Sequence, residues 1–165
     1  MSMPDLAAVM WRQRELLERL VYRLECEQLL LAAGRTRFLA QATSEVEALL
    51  EDLQIVEMQR AAAADQVAHE IGIAPGATLE ELAGSAQPPW TGVLLEHRHA
   101  LVTVTGELAA LAETNKNLMS AGLKAVESTL AGLGLRHGTT SVGYDAHGRN
   151  QTISAPGNAV VDRSL

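Results

Sequence analysis

The residues of this chain that could carry chemistry are five histidines, twenty carboxylates, one cysteine and a run of glycines near its C-terminal end. Their spacing argues against using them that way. His97 and His99 are two apart, so on a helix they point to nearly opposite sides and cannot share a metal, which helical ligand pairs reach at three- or four-residue spacing. His69 beside Glu70, and His137 and His147 further on, have no cysteine or carboxylate cluster at ligand spacing. Gly132, Gly134, Gly138 and Gly143 lack the Gly-Lys-Ser/Thr ending of a phosphate loop and follow a helical stretch where such a loop would follow a strand. The carboxylates Glu15, Glu18, Glu25, Glu27, Glu45, Glu47, Glu51 and Asp52 lie among arginines and heptad positions, the pattern of a solvated helix face and not of an acid–base pair in a pocket. Cys26 is alone, so no internal disulfide or thiolate cage forms, and no mapped base activates it. Asn150-Gln-Thr152 matches a glycosylation acceptor, which a cytosolic chain does not use. No catalytic residue, no metal site and no cofactor is expected.

What the spacing does specify is helix. Leu6, Met10, Gln13, Leu17, Leu20, Leu24, Glu27 and Leu31 alternate four- and three-residue steps, the seam of a coiled-coil-like helix broken only by Gln13 and Glu27. Pro4 and Asp5 suit its first turn, and Gly34 marks its end. A second seam reads Leu39, Ala42, Val46, Leu49, Leu53, Val56, Arg60, Ala63 and Val67, with Thr36 as a candidate cap. So short a link implies an antiparallel hairpin over 5–33 and 36–71. The connector Ile71-Gly-Ile-Ala-Pro-Gly-Ala ends the second helix, and Thr78 with Glu81 offers a capping box for a helix of about two turns. After Gln87-Pro-Pro-Trp a third long seam follows: Trp90, Leu94, His97, Leu101, Val104, Leu108, Leu111, Asn115 and Leu118. Beyond Asn115 the better stripe is Met119, Leu123, Val126, Leu130 and Leu133, displaced by one residue and so turned by about 100°. The polar seam residues Gln13, Arg60 and Asn115 read either as register setters or as a frayed, wet part of the bundle. The shifted stripe stays open between a helix folding back on the bundle, a homodimer contact and a surface for a partner helix.

The fold class is therefore all-α: a long antiparallel helical hairpin, a third long helix, a short connector helix and a disordered C-terminal tail. Only 3% of residues are aromatic, which suits Leu- and Ala-rich helix faces better than sheet faces. A formal charge of −7 with no basic run opposes nucleic acid or an anionic membrane as partner. The N-terminus has no secretory signal and no apolar run approaches a membrane span, so a cytoplasmic location is expected. Residues 1–135 read as the helical domain and 136–165, rich in Gly, Ser, Thr and Asn without periodicity, as a flexible tail.

Four segments in order carry a family likeness over nearly the whole chain: Arg14-Glu-Leu-Leu-Glu-Arg-Leu, the connector Ile71-Gly-Ile-Ala-Pro-Gly-Ala-Thr-Leu-Glu-Glu-Leu, Asn115-Lys-Asn-Leu-Met followed by Leu123 and Leu130, and Tyr144-Asp-Ala-His-Gly-Arg. In these it resembles the flagellar export chaperones of the FlgN type. The resemblance implies a bacterial cytosolic chaperone without cofactor that holds a terminal helical segment of the hook-associated proteins FlgK or FlgL and delivers it to the flagellar type III export gate. Carried over by matching segment, the client-binding residues are Asn115, Leu118, Met119, Leu123, Val126 and Leu130, and Tyr144 docks on the gate. Gly122, Gly132 and Gly134 depart from many relatives and should loosen the last turns, by about 1 kcal/mol each relative to Ala. A constitutive coiled-coil scaffold without a client is the alternative, which an uninterrupted seam without connector or tail motif would favour.

Overall fold

The computed structural model describes residues 2–133, 142–144 and 150–152. The architecture is all-α as expected, with four helices in the order α1 Met3–Ala32, α2 Leu39–Glu70, α3 Leu79–Ser85 and α4 Trp90–Gly132. The chain clusters into two compact units, Met1–Ser120 and Ala121–Leu165. Among the described residues no helix is long and apolar enough to cross a membrane.

Helix boundaries follow local chemistry. At the start of α1 the Asp5 carboxylate accepts from both the backbone N–H and the hydroxyl of Ser2, each at 2.7 Å, which satisfies donors that the first turn leaves orphaned. Gly34 at φ 65° closes α1, where Arg35 N–H donates to Leu30 C=O at 2.9 Å and Gly34 N–H to Leu31 C=O at 3.2 Å. Gly72 at φ 78° ends α2 the same way, with Ile73 N–H donating to Ala68 C=O at 2.9 Å. A left-handed residue after the helix is what lets these last carbonyls find donors, and glycine adopts it without a Cβ penalty. Thr36 does not cap α2. It heads a single 3-10 turn, Thr36–Phe38, and α2 begins at Leu39 without a side-chain cap. Arg35 has already turned back onto Leu30, so the chain re-enters helical geometry before a cap is needed. The Thr78–Glu81 capping box forms as expected, with Glu81 N–H donating to Thr78 Oγ1 and the Glu81 carboxylate accepting from Thr78 N–H at 2.7 Å.

In the first unit α1 and α2 run antiparallel: Gln13 donates to Glu57 and Arg23 pairs with Glu45, so the chain descends one helix as it climbs the other. Two clusters hold the helices together. At one end Leu6, Met10, Ala63, Val67, Ala68, Leu82 and Leu94 pack with at most traces of solvent exposure, joining the start of α1, the end of α2, α3 and the start of α4. Further along, Leu16, Leu20, Leu24, Val46, Leu49 and Val56 form a second cluster, with Leu108 and Leu111 of α4 against it. Full burial of each large aliphatic side chain is worth about 1.5–3 kcal/mol. Leu94 near Leu6 and Asn115 near Leu24 show that α4 runs in the same direction as α1. The Gly76 N–H donates to Asp65 Oδ1 at 2.7 Å, tying the connector back to α2.

The second unit holds the last turns of α4 and two three-residue strands, β1 Val142–Tyr144 and β2 Asn150–Thr152, paired antiparallel with Tyr144 opposite Asn150. This pairing has no apolar alternation behind it, which is why periodicity did not announce it. The remaining residues of the 136–165 tail, His137 and His147 among them, lie outside the described residues, as does the expectation that the tail is disordered.

Leu94→Ala should lower unfolding free energy by about 2–5 kcal/mol, since it empties a site shared by four helices, while Leu123→Ala, at 61% exposure, should stay within about 0.5 kcal/mol. Urea unfolding followed by circular dichroism compares the two directly.

Candidate functional site

Surfaces, not pockets, are where this chain departs from an ordinary bundle. The hollows in the described structure are open depressions. One, of about 510 Å³, lies along the connector between Ile73 and Ser85. Another, of about 480 Å³, is bounded by Leu17, Glu57, Arg60, Leu101 and Val102. A third, of about 610 Å³, is lined by Leu17, Leu50, Leu53 and Met58. The titrating group inside the second is Glu57, held below the usual carboxylate range first by its hydrogen bond from Arg60 and further by one from Gln13. Gln13 Nε2 thus bonds Glu57 across α1 and α2 while Arg60 bonds it within α2, and Gln13 Oε1 is buried without a partner.

His97 is 2% exposed and meets the Trp11 ring edge-on, with centroids 4.9 Å apart. Burial first, and the Arg14 charge second, push its pKa down, against a smaller opposite pull from Glu96. It is thus a packing residue, while His99 faces solvent, in keeping with the two-residue spacing. Among the described residues no group of three His, Cys, Asp or Glu side chains could hold a metal.

The residues carried over as client-binding fall into two environments on α4. Asn115 is 2% exposed and its Nδ2 donates to the Leu24 carbonyl at 2.9 Å, while its Oδ1 has no partner. Glu27, 5% exposed, lies beside it, and burial pushes its carboxyl above the usual range against a hydrogen bond with Asn115 that acts the other way. Leu118 and Met119 are half-buried. In the second unit Leu123 is 61% exposed, Val126 55% and Leu133 68%, with Leu130 half-buried. The helix continues through Gly122 as far as Gly132, and the Cβ positions of both glycines point into open space. The sequence left the helix's extent past Gly122 open because two glycines weaken it without forbidding it. Tyr144 lies on β1, its backbone opposite Asn150.

Seam periodicity missed one feature. Trp11 and Tyr22 on α1 are 55% and 60% exposed, and each carries a guanidinium over its ring, Arg14 at 4.4 Å and Arg23 at 5.4 Å. The apolar stripe of α1 drew attention to its buried face, and residues outside it read as a solvated face.

A carboxylic acid kept more neutral in the fold than in the unfolded chain stabilises the fold below its ordinary pKa, and that contribution is lost as pH rises through its folded pKa. Glu27→Gln should therefore melt higher than the parent at pH 7, with the difference closing as pH falls towards 4.5. A melting series from pH 4 to 8 reads this out.

A model of the FlgN protein family matches residues 1–152. No curated protein and no solved structure is a significant match. The match runs through every helix and strand among the described residues. The chain belongs to the FlgN family of flagellar export chaperones.

Proposed function

We propose that this chain is a cytoplasmic holding chaperone for the hook-associated proteins FlgK and FlgL, which it escorts to the flagellar type III export gate by reversible binding and without catalysis or cofactor. Residues 1–135 serve as the helical chaperone domain and 136–165 as the delivery tail. The observation that carries this reading is the face of α4 on which Leu123 and Val126 are each more than half exposed, continued by the exposed Leu133 just past the helix end. An apolar stripe left in water costs solubility unless something covers it for part of the protein's life. A client whose terminal helix is destined for a filament joint exposes a matching stripe until it is assembled, and one helix laid along another covers both.

The client face comprises Leu118, Met119, Leu123, Val126 and Leu130, with Asn115 at its bundle end, where its bond to Leu24 anchors the helix that presents the rest. Apolar burial at about 25 cal/mol per Å², set against the ordering costs of association, gives micromolar-class holding and not a permanent complex. Delivery requires that release. Tyr144, on a short strand of the second unit, is the residue that meets the gate.

Replacing Leu123 and Val126 by Asp should weaken client binding by several kcal/mol, because unpaired charges would be buried in an apolar contact. Both side chains are more than half exposed, so thermal unfolding should be nearly unchanged. Titration with a purified C-terminal fragment of FlgK checks the first expectation and calorimetry the second. Loss of cooperative unfolding would assign the stripe to the protein's own packing. Tyr144→Ala should leave client affinity and melting intact while reducing secretion of FlgK in a flagellated host. Normal secretion with Tyr144→Ala would remove the gate role.

A further inference from the structure

The outer face of α1 carries a second heptad seam, and its charge pattern specifies a partner. Trp11, Glu15, Glu18, Tyr22, Glu25 and Leu29 follow one another in strict four- and three-residue steps, and all six are exposed. Eleven residues separate Trp11 from Tyr22 and seven separate Tyr22 from Leu29, so the three apolar anchors fall within about 20° of one line on the helix surface. They span about 27 Å, enough for five turns of a facing helix. Leu17 and Leu24 of the buried seam lie on the other side of α1.

The carboxylates between the anchors are uncommitted. Among the described residues Glu15, Glu18 and Glu25 enter no ion pair, whereas Glu45, Glu57 and Glu80 are each paired with an arginine. The aromatic faces already attract cations, as Arg14 over Trp11 and Arg23 over Tyr22 show.

Charge decides the occupant. In a parallel pairing of two copies each of these glutamates would meet its own counterpart. In an antiparallel pairing centred on the stripe, Glu15 would meet Glu25. Both arrangements place like charges across a contact, which is destabilising, so a second copy is disfavoured. Phosphate-bearing partners are repelled for the same reason. Arg12 and Arg19, exposed on one flank and also outside any ion pair, disfavour a uniformly basic segment.

We propose that the outer face of α1 is a docking surface for an amphipathic helix of another protein, one that places apolar side chains on Trp11, Tyr22 and Leu29 and an Arg or Lys opposite Glu15, Glu18 and Glu25. This surface is separate in residues from the client face on α4, so it offers the chaperone a second simultaneous contact. The guanidiniums of Arg14 and Arg23 act as place-holders over the aromatic faces until the partner's cations replace them.

The test uses the full chain and a fluorescently labelled synthetic helix of about 20 residues, with Leu at the three anchor positions, Arg at the three intervening seam positions and Glu on the flank facing Arg12 and Arg19. Fluorescence anisotropy should show saturable binding. The charge reversal Glu15→Lys with Glu18→Lys and Glu25→Lys should weaken it about tenfold or more, while Glu47→Lys with Glu51→Lys and Asp52→Lys on α2 should change it by less than about twofold. Tyr22→Ala, which leaves the charges in place, should weaken binding independently. The proposal is overturned by no binding, by equal binding of a scrambled peptide of the same composition, or by equal loss with both sets of reversals. It is also overturned if light scattering finds a dimer that Trp11→Glu dissociates, since the stripe would then be occupied by a second copy.

Discussion

Three long helices with narrow apolar stripes depend on one place where they are pinned together. That place is the end of the hairpin where Leu6 and Met10 of α1, Val67 and Ala68 of α2, Leu82 of α3 and Leu94 of α4 exclude water. A narrow stripe buries little area per turn, so its alignment has to be enforced from an end, and the short connector does this by returning the chain to the start of α1. In the connector Gly72 and Gly76, at φ 78° and 80°, and the Gly76–Asp65 hydrogen bond make that return tight. Once Leu94 is seated, α4 lies along α1, and its later seam residues meet the second cluster without further instruction.

Along the rest of the first unit, packing is thinner and polar groups set the register. Gln13 of α1 donates to Glu57 of α2, which also accepts from Arg60. Asn115 bonds to a carbonyl of α1 beside the buried Glu27. Such groups add little net stability, because their gain is offset by desolvation, but a one-turn slip would leave each of them unpaired in an apolar setting. They exclude wrong alignments that leucines alone would tolerate.

The same economy explains why the protein keeps so much apolar surface in water. Single exposed aliphatics need no explanation, but Leu123 and Val126 on one face of the final turns of α4 with Leu133 just past them, and three anchors on one line of α1, are patterned. Helices are suited to this because one cylinder presents independent faces about 100° to 180° apart.

Much was legible in the residues alone, because a seam is a local property. Hairpin, connector helix, capping box and the extents of the first two long helices follow from periods of 3.5, from Gly and Pro placement and from the Thr78–Glu81 spacing. The shifted stripe after Asn115 was legible for the same reason, and so was the separation of His97 from His99. Other features depended on three-dimensional neighbours. That Asn115 is a buried anchor, that burial beside it pushes the Glu27 carboxyl up, that His97 rests on Trp11, and that α2 begins without Thr36 as its cap were settled by what each residue meets in three dimensions. Period and spacing state which residues share a face, but solvent exposure depends on whether a second helix arrives there. Thus Trp11 and Tyr22 lay outside the apolar seam in sequence, and only the tertiary structure decided that Trp11 meets His97 while both rings stay more than half exposed.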